Sequence, residues 1–321
     1  MKVHRDFPLS QVLWYRIGGT ARFLLDVGSA EDVLRAVEFV EAERPARVFV
    51  AGLGSNLIFT DDYFDGAVVR VASRGADGVG SPEPGVIEAF GGVVLDDVIV
   101  SALDRGLVGL EWAGGLPGTV GAGVRGNVGA FGGEIKDSFE RAEVVRFRAD
   151  GCRREVLDRA ALEFSYRDSR VKRERDAVVA TVALRMTPAT TAELEAARAV
   201  YAQNIAYRQA RHPMEYPNCG SVFKNINRRE QVERVLATWP DVEERVRGTW
   251  YGKVSMGYII GRLGLAGYRV GAAQVSEKHN NFIVNLGGAR ASDVRAIIRR
   301  VQYAVSETFD FVPEVEVEIV E

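Results

Sequence analysis

Apolar residues recur along the first third of the chain with helical and strand-like spacing in turn. Val33, Leu34, Val37 and Val40 fall on one face of a 3.6-residue period, and Ser29, followed by Asp32, supplies the cap that starts such a helix. The run Val48-Phe49-Val50-Ala51 then has the length of a buried strand and leads into Gly52-Leu53-Gly54-Ser55-Asn56. A second helix is predicted over residues 95–105, with Leu95, Val98, Ala102 and Leu103 inward and Gly106 as its stop. From 142 to about 186, alternating runs such as Ala142-Glu143-Val144-Val145-Arg146-Phe147 predict antiparallel strands that close near Pro188. A helix over about 192–207 leads onward. In the last third, Val294, Ile297, Ile298, Val301 and Val305 form the apolar face of a helix capped by Ser292, with Arg299 and Arg300 on its wet side. A strand at 282–285 precedes it and another at 314–320 follows, where Glu314, Glu316 and Glu318 alternate with Val315, Val317 and Ile319. Both halves read as α+β, with the change of pattern near residue 200.

The pattern breaks at residues 114–133, GGLPGTVGAGVRGNVGAFGG, where nine of twenty positions are glycine. Glycine at this density destabilises helix and strand alike, so it marks places where backbone approaches something closely. N–H groups freed of side chains form anion-binding concavities that suit a pyrophosphate. Residues 52–56 repeat the theme, and two separated glycine loops suit a long dinucleotide held at two places. Glycine loops also make tight turns in sheets that bind nothing, and Gly-x-Gly alone is a weak signal; the two loops together favour binding. The Rossmann fingerprint does not fit, because Leu57 stands where its third glycine belongs and no helical run follows. If a dinucleotide binds here, another fold holds it.

Composition narrows the partners. The 321 residues are 47% hydrophobic and 26% charged, ordinary globular material for two or three domains. A net charge of −3 argues against a nucleic-acid surface while leaving room for local arginine clusters that meet a small anion. No apolar run approaches a membrane span and the start, MKVHRDFPLS, lacks an apolar signal core, so a cytoplasmic protein is expected. Cys152 and Cys219 lack CxxC spacing, which supports neither a metal site nor a disulfide framework.

Several polar groups carry possible chemistry. In Tyr166-Arg167-Asp168-Ser169 the arginine either clamps a carboxylate with its two-pronged guanidinium or pairs with Asp168 at the surface. Arg208 and Arg211, one helical turn apart, either grip phosphate oxygens or form the solvated end of a helix. The segment 217–225, PNCGSVFKN, sets Ser221 on a glycine-preceded turn with Lys224 and Asn225 behind it. His4, His212 and His279 offer no motif that marks one as a base for this serine, so a hydrolase is not expected. The three alternating glutamates are most simply the wet face of a half-buried strand, and pattern alone singles out none.

Taken in order, Arg16-Ile17-Gly18-Gly19, GLGSN, GGLPGTVGAGVRGNVGAFGGE, YRDS, GSVFKN, VSEKHNNFIVN and a terminal PEV resemble the UDP-N-acetylenolpyruvoylglucosamine reductase family over nearly the whole chain. The resemblance implies a two-part FAD-binding domain of the vanillyl-alcohol-oxidase (PCMH) type over 1–190, with lobes at about 1–70 and 71–190, and a C-terminal α+β substrate-binding domain over 200–321. Only about 40 residues separate Tyr166 from Tyr207, which is similar to the shorter, type II branch. It further implies non-covalent FAD, NADPH as hydride donor, a UDP-sugar enolpyruvyl ether as substrate, and a monomer that binds neither nucleic acid nor membrane.

By the same resemblance, Ser221 protonates carbon after hydride transfer, Arg167 meets the substrate carboxylate, and Glu314 assists as a proton donor or polarising group with its pKa raised by burial. The cofactor would be held by Gly52, Gly54, Ser55, Asn56, Gly114, Gly118, Thr119, Gly121, Asn127 and Gly129. Arg208, Arg211, Lys224, Asn225 and Glu277 would hold substrate, and no metal is implied. Arg211 stands where the family usually has lysine, Phe131 where tyrosine is commoner, Gly126 where a bulkier residue is usual, and Phe311-Val312 precede Pro313 atypically. None of these departures touches Ser221, Arg167 or Glu314.

Overall fold

A computed structural model describes residues 1–73, 75–147, 151–175 and 177–321. The chain divides into two compact units, neither contiguous in sequence. Met1–Phe7, Thr20–Leu53 and Tyr63–Arg208 form the first; Pro8–Gly19, Gly54–Asp62 and Gln209–Glu321 form the second. The loop at 52–56 therefore begins in one unit and ends in the other. Among the described residues no helix is long and apolar enough to cross a membrane.

The first unit opens with a four-stranded sheet in the order Lys2–Pro8, Thr20–Val27, Phe64–Val71, Val48–Ala51. Phe64–Val71 pairs in parallel with both Thr20–Val27 and Val48–Ala51, and its near-continuous burial explains why its sequence does not alternate. Helix Ala30–Glu43 starts as its sequence predicts, the Ser29 hydroxyl accepting from Asp32 N–H at 3.2 Å. Of its expected apolar face, Val33 and Val37 are buried with Ala36, whereas Leu34 is exposed.

A five-stranded antiparallel sheet follows, in the order Arg153–Asp158, Phe139–Arg146, Ala177–Arg185, Val86–Phe90, Val79–Gly80. The strands expected between 142 and 186 are present, although 148–150 and 176 lie outside the described residues. Two short helices interrupt them, Arg159–Leu162 and Arg170–Glu174, capped by Asp158 and Ser169. Each is too short to impose a visible apolar period. Helix Leu95–Asp104 buries Leu95, Val98, Ala102 and Leu103 as expected, and Gly106 takes a φ of 72° beyond its end. Helix Thr191–Arg211 outlasts its predicted end by four residues.

The second unit is organised on helix Ala291–Phe309, whose Val294, Ile297, Val301 and Val305 are all but fully buried. Each such side chain contributes about 1.5–3 kcal/mol on leaving water. Ser292 is not its cap. The helix starts at Ala291, with Arg290 in the cap position two residues earlier than expected, and the Asp61 carboxylate accepts from Ala291 N–H at 2.7 Å and Ser292 N–H at 2.9 Å. A local sequence signal could not reveal a cap supplied from 230 residues away.

The strand expected at 314–320 is regular only over Glu318–Val320, which pairs in parallel with Leu57–Phe59. Upstream, Val315 bridges to Phe223 instead, and the change of partner resets the alternation, so Ile319 is exposed and Val320 buried. The strand expected at 282–285 forms as Ile283–Asn285, beside Ala273–Val275 and Arg269–Val270. Tyr15 belongs to this unit because its hydroxyl donates to Ile283 O at 2.8 Å. A helical excursion, Arg229–Thr238 and Glu243–Arg247, leaves at Ile226 and returns at Val254, where two reciprocal backbone bonds of 3.0 and 2.8 Å close it.

Candidate functional site

In the first unit the glycine-rich segment is held against the protein's own backbone. Gly121 N–H donates to Gly91 O at 2.9 Å, and a Cβ on Gly121 would stand 2.8 Å from that same oxygen, so no larger residue fits. Part of the glycine density is thus internal packing. A different feature marks the ligand side. Thr119 caps helix Val120–Arg125 through its hydroxyl, Leu95 N–H takes Gly118 O at 3.0 Å, and Val120 N–H takes Val93 O at 2.9 Å. Among the described residues, the N–H groups of Gly118 and Thr119 between these bonds have no protein acceptor. Gly52 joins them, since a Cβ there would meet Thr119 Oγ1 at 2.8 Å.

Beside this loop, Asn127 and Arg167 make a second arrangement. Asn127 is fully buried with a φ of 43°; its amide donates to Ser165 O at 2.8 Å and to Glu134 Oε2 at 3.1 Å. Arg167, also left-handed at φ 59°, donates to Gly129 O and, at 3.4 Å, to Asn127 O. Asp168 meanwhile accepts from Arg173 at 2.6 Å. Burial would raise the Glu134 carboxyl, but Lys136, Asn127 and then Arg167 hold it below its ordinary value. Arg167 is thereby fixed as a half-buried cation on the far turn of the glycine segment.

The third arrangement lies where helix Thr191–Arg211 meets the start of the glycine segment. Asn204 donates to Glu111 O at 3.0 Å and Arg208 Nε to Gly114 O at 2.9 Å. Arg208 is only 6% exposed, its guanidinium 5.1 Å from the centre of the Phe131 ring, and its Nη2 is buried with no partner. Burial pulls its pKa down to about 10 despite the opposing charge of Asp96. Asp96 accepts from Gly115 N–H at 2.9 Å, and burial together with the Asp96 charge pushes the Tyr201 hydroxyl up to about 12. Asp96 and Tyr201 were not foreseen. In the sequence Asp96 reads as one of two acidic residues favouring a helix start, and nothing in its spacing signals that it turns onto Gly115.

The second unit assembles its own group around an extended stretch containing Ser221. Gly220, at φ 76°, donates to Asn218 Oδ1 at 3.0 Å. Val222 N–H donates to Asn281 O at 2.8 Å, Glu316 N–H to Val222 O at 2.8 Å, and Lys224 N–H to Glu314 O at 2.9 Å. The Asn281 side chain bridges Phe223 on both sides, accepting from its N–H at 3.0 Å and donating to its carbonyl at 2.8 Å. Asn281 is a further unforeseen residue, its signal being a second asparagine inside VSEKHNNFIVN.

Lys224 pairs with the Glu314 carboxylate, and Asn225 Oδ1 accepts from Met256 N–H at 3.1 Å. Both therefore brace the loop. Glu314 is not buried by its own chain: its side chain is 57% exposed. Asn56, at the end of the first glycine loop, accepts from Glu318 N–H at 3.0 Å, and Ser55 O lies 3.9 Å from where a Gly220 Cβ would stand. Arg211 and Glu277 are exposed. The expected site residues thus fall into two sets: Gly52, Gly114, Gly118, Thr119, Gly121, Asn127, Gly129, Arg167 and Arg208 in the first unit, and Gly54, Ser55, Asn56, Arg211, Ser221, Lys224, Asn225, Glu277 and Glu314 in the second.

Free N–H groups at Gly118 and Thr119 are what a diphosphate-bearing cofactor needs. Comparison with known proteins agrees. An FAD binding domain matches residues 21–156, and the C-terminal domain of UDP-N-acetylenolpyruvoylglucosamine reductase matches 212–320. The fold is thus that of a flavin-dependent oxidoreductase.

A UDP-N-acetylenolpyruvoylglucosamine reductase 2 of Symbiobacterium thermophilum is 36% identical over 322 residues, covering 99% of this chain and 92% of its own. The corresponding reductase of Caldicellulosiruptor bescii is 35% identical over 322 residues, covering 98% and 90%. The crystal structure of the reductase from Thermus caldophilus superposes with a TM-score of 0.74 at 29% identity over the whole of both chains. The chain belongs to the UDP-N-acetylenolpyruvoylglucosamine reductase family, as its motifs implied.

Proposed function

We propose that the protein reduces UDP-N-acetylglucosamine enolpyruvate to UDP-N-acetylmuramate, a step of peptidoglycan precursor synthesis, and that it does so as a cytoplasmic monomer. FAD, when bound, carries hydride from NADPH to the methylene carbon of the enolpyruvyl ether. The chain's own residues then have three tasks. Arg167, fixed by two carbonyls of the glycine segment, keeps its charge for the substrate carboxylate, beside which electron density grows as hydride arrives. Ser221 delivers a proton to the adjacent carbon; a hydroxyl is a weak acid, yet a carbon enolate is a strong base. Glu314, carried on the extended segment that braces Ser221, polarises the enolpyruvyl group or donates a proton, and Lys224 holds its carboxylate in place. Gly118, Thr119 and the 52–56 loop serve the cofactor diphosphate; Arg208 and Arg211 serve a nucleotide phosphate.

The observation that carries this reading is the coincidence of Ser221, Lys224 and Glu314 on two directly hydrogen-bonded segments. A non-catalytic flavin or nucleotide-sugar binder has no use for a proton donor so braced. Purified protein is expected to be yellow, to release FAD on heating, to be bleached anaerobically by NADPH, and to regain colour on addition of the enolpyruvyl substrate. Protein that takes up FAD yet is not reoxidised by that substrate would be a binder, or another oxidoreductase of the same superfamily.

A further inference from the structure

Arg208 is held by the protein at one nitrogen only. Its Nε donates to Gly114 O at 2.9 Å while Nη2 is buried with no partner. Burying a guanidinium costs free energy unless its donors are used, and among the described residues Arg208 has no ion pair, the half-buried Asp96 being the carboxylate whose charge acts on it. Asp96 is itself fixed by Gly115 N–H at 2.9 Å, the other half of the peptide whose oxygen accepts from Arg208 Nε. Burial raises the Asp96 carboxyl, and Gly115, Tyr201 and Arg208 each work against that rise. Asn204 and Arg208 lie on successive turns of one helix, so a single helix face grips 111–115 through Glu111 O and Gly114 O.

We propose that Asp96 is a positioning residue that, through Arg208, aims a buried cation at the diphosphate of a bound nucleotide. The inference rests on the reading of Arg208 as a phosphate contact. The shared chemistry is a diphosphate, which both FAD and the UDP-sugar carry. Asp96 touches no ligand in this role. It fixes the Gly114–Gly115 peptide on which Nε docks, so that Nη2, not Nε, is offered.

The test measures two quantities on holoenzyme: flavin fluorescence released on dilution, for FAD, and titration with UDP. Arg208→Gln should weaken one of them by roughly 10- to 100-fold, as loss of a charge-assisted bond does, and the one affected names the diphosphate. Asp96→Asn, which keeps an oxygen for Gly115 N–H, should weaken the same quantity by roughly 3- to 10-fold, with KM rising more than kcat falls if UDP is affected. The double variant should be no weaker than Arg208→Gln alone, because Asp96 acts through Arg208. Asn204→Ala loosens the same helix face without removing charge and should not reproduce the effect.

If Arg208→Gln changes neither quantity, the phosphate reading of Arg208 falls and the inference with it. If Arg208→Gln weakens binding but Asp96→Asn does not, if the two effects add, or if Asn204→Ala matches Asp96→Asn, only the positioning role is overturned.

Discussion

Two arginines in the first unit are almost equally hidden, Arg146 at 1% and Arg208 at 6% exposure, and their surroundings push them in opposite directions. Burial would lower both. At Arg146, Glu155 and Glu174 more than reverse it, leaving the guanidinium held above its ordinary value. At Arg208 burial wins and the pKa falls to about 10. The first cation ends a strand of the antiparallel sheet and closes onto two carboxylates of its own chain. The second sits over a glycine segment and, among the described residues, closes onto no carboxylate within ion-pair distance. A buried charge that closes onto carboxylates of its own chain is used by the fold; one without such an ion pair is open to a ligand. The same distinction separates Asp61, satisfied by two helix N–H groups, from the braced Ser221, whose chemistry needs a substrate.

The largest expected effect lies on the ligand side of that contrast. Ser221→Ala should leave bleaching of the flavin by NADPH near its parental rate and slow reoxidation by the enolpyruvyl substrate by roughly 10²–10⁴, the worth of a positioned general acid. Stopped-flow absorbance resolves the two halves. Equal loss in both halves, or in neither, would remove Ser221 from the proton step.

Next comes the fold side. Arg146→Ala should cost about 3 kcal/mol, the low end for a broken buried ion pair, because Glu155 and Glu174 retain some solvent at 32% and 31% side-chain exposure. Arg146→Met should recover part of this by filling the space. Thermal unfolding reads both, and neither variant should alter KM for the UDP-sugar in the fraction that remains folded. A change in KM at Arg146 would erase the contrast with Arg208.

What the sequence disclosed follows the same division. Elements bounded by their own residues were legible: the Ser29 cap, the 95–105 helix with its glycine stop, and the apolar face of Val294 to Val305. Features completed by distant residues were not. Asp61 caps a helix whose start the local pattern places at Ser292, and Val315 and Glu318 pair with different partners, so their alternation breaks. Of the site, motifs named the loops but could not say which glycines are tight against backbone and which leave N–H groups open. Gly54 shows the cost of that ignorance: at φ 74°, with a Cβ due 2.6 Å from Leu13 Cδ2, it cannot be changed to aspartate without disturbing the fold, so loss of FAD there would say nothing about phosphate.

A smaller effect than that of Ser221 is expected at Glu314. Glu314→Gln should slow the reoxidative half by about 10², whereas Glu316→Gln and Glu318→Gln should change it by less than about threefold. Because Lys224 loses its carboxylate partner in the same variant, Lys224→Met is the necessary companion. If it matches Glu314→Gln, the ion pair only braces the loop. A Glu316 variant as damaging as Glu314→Gln would break the assignment outright.

The smallest effect tests a charge that the protein has satisfied for itself. Burial would raise the Asp61 carboxyl, but the N–H of Ser292, its hydroxyl, the N–H of Ala291 and the charge of Arg290 outweigh that and hold it below its ordinary value. Asp61→Ala should therefore cost about 1 kcal/mol at neutral pH, the worth of a helix cap. The sign of its pH dependence is fixed by the direction of the shift. A carboxyl whose folded pKa is depressed stabilises fully above its unfolded value near 3.8, and that contribution is lost as pH falls from there through the folded pKa. Parent and variant should accordingly differ by a constant amount from pH 7 to about 5 and converge below about 4, measured by denaturant unfolding at each pH. A difference that persisted undiminished at low pH would mean that Asp61 acts through packing rather than as an ionised cap.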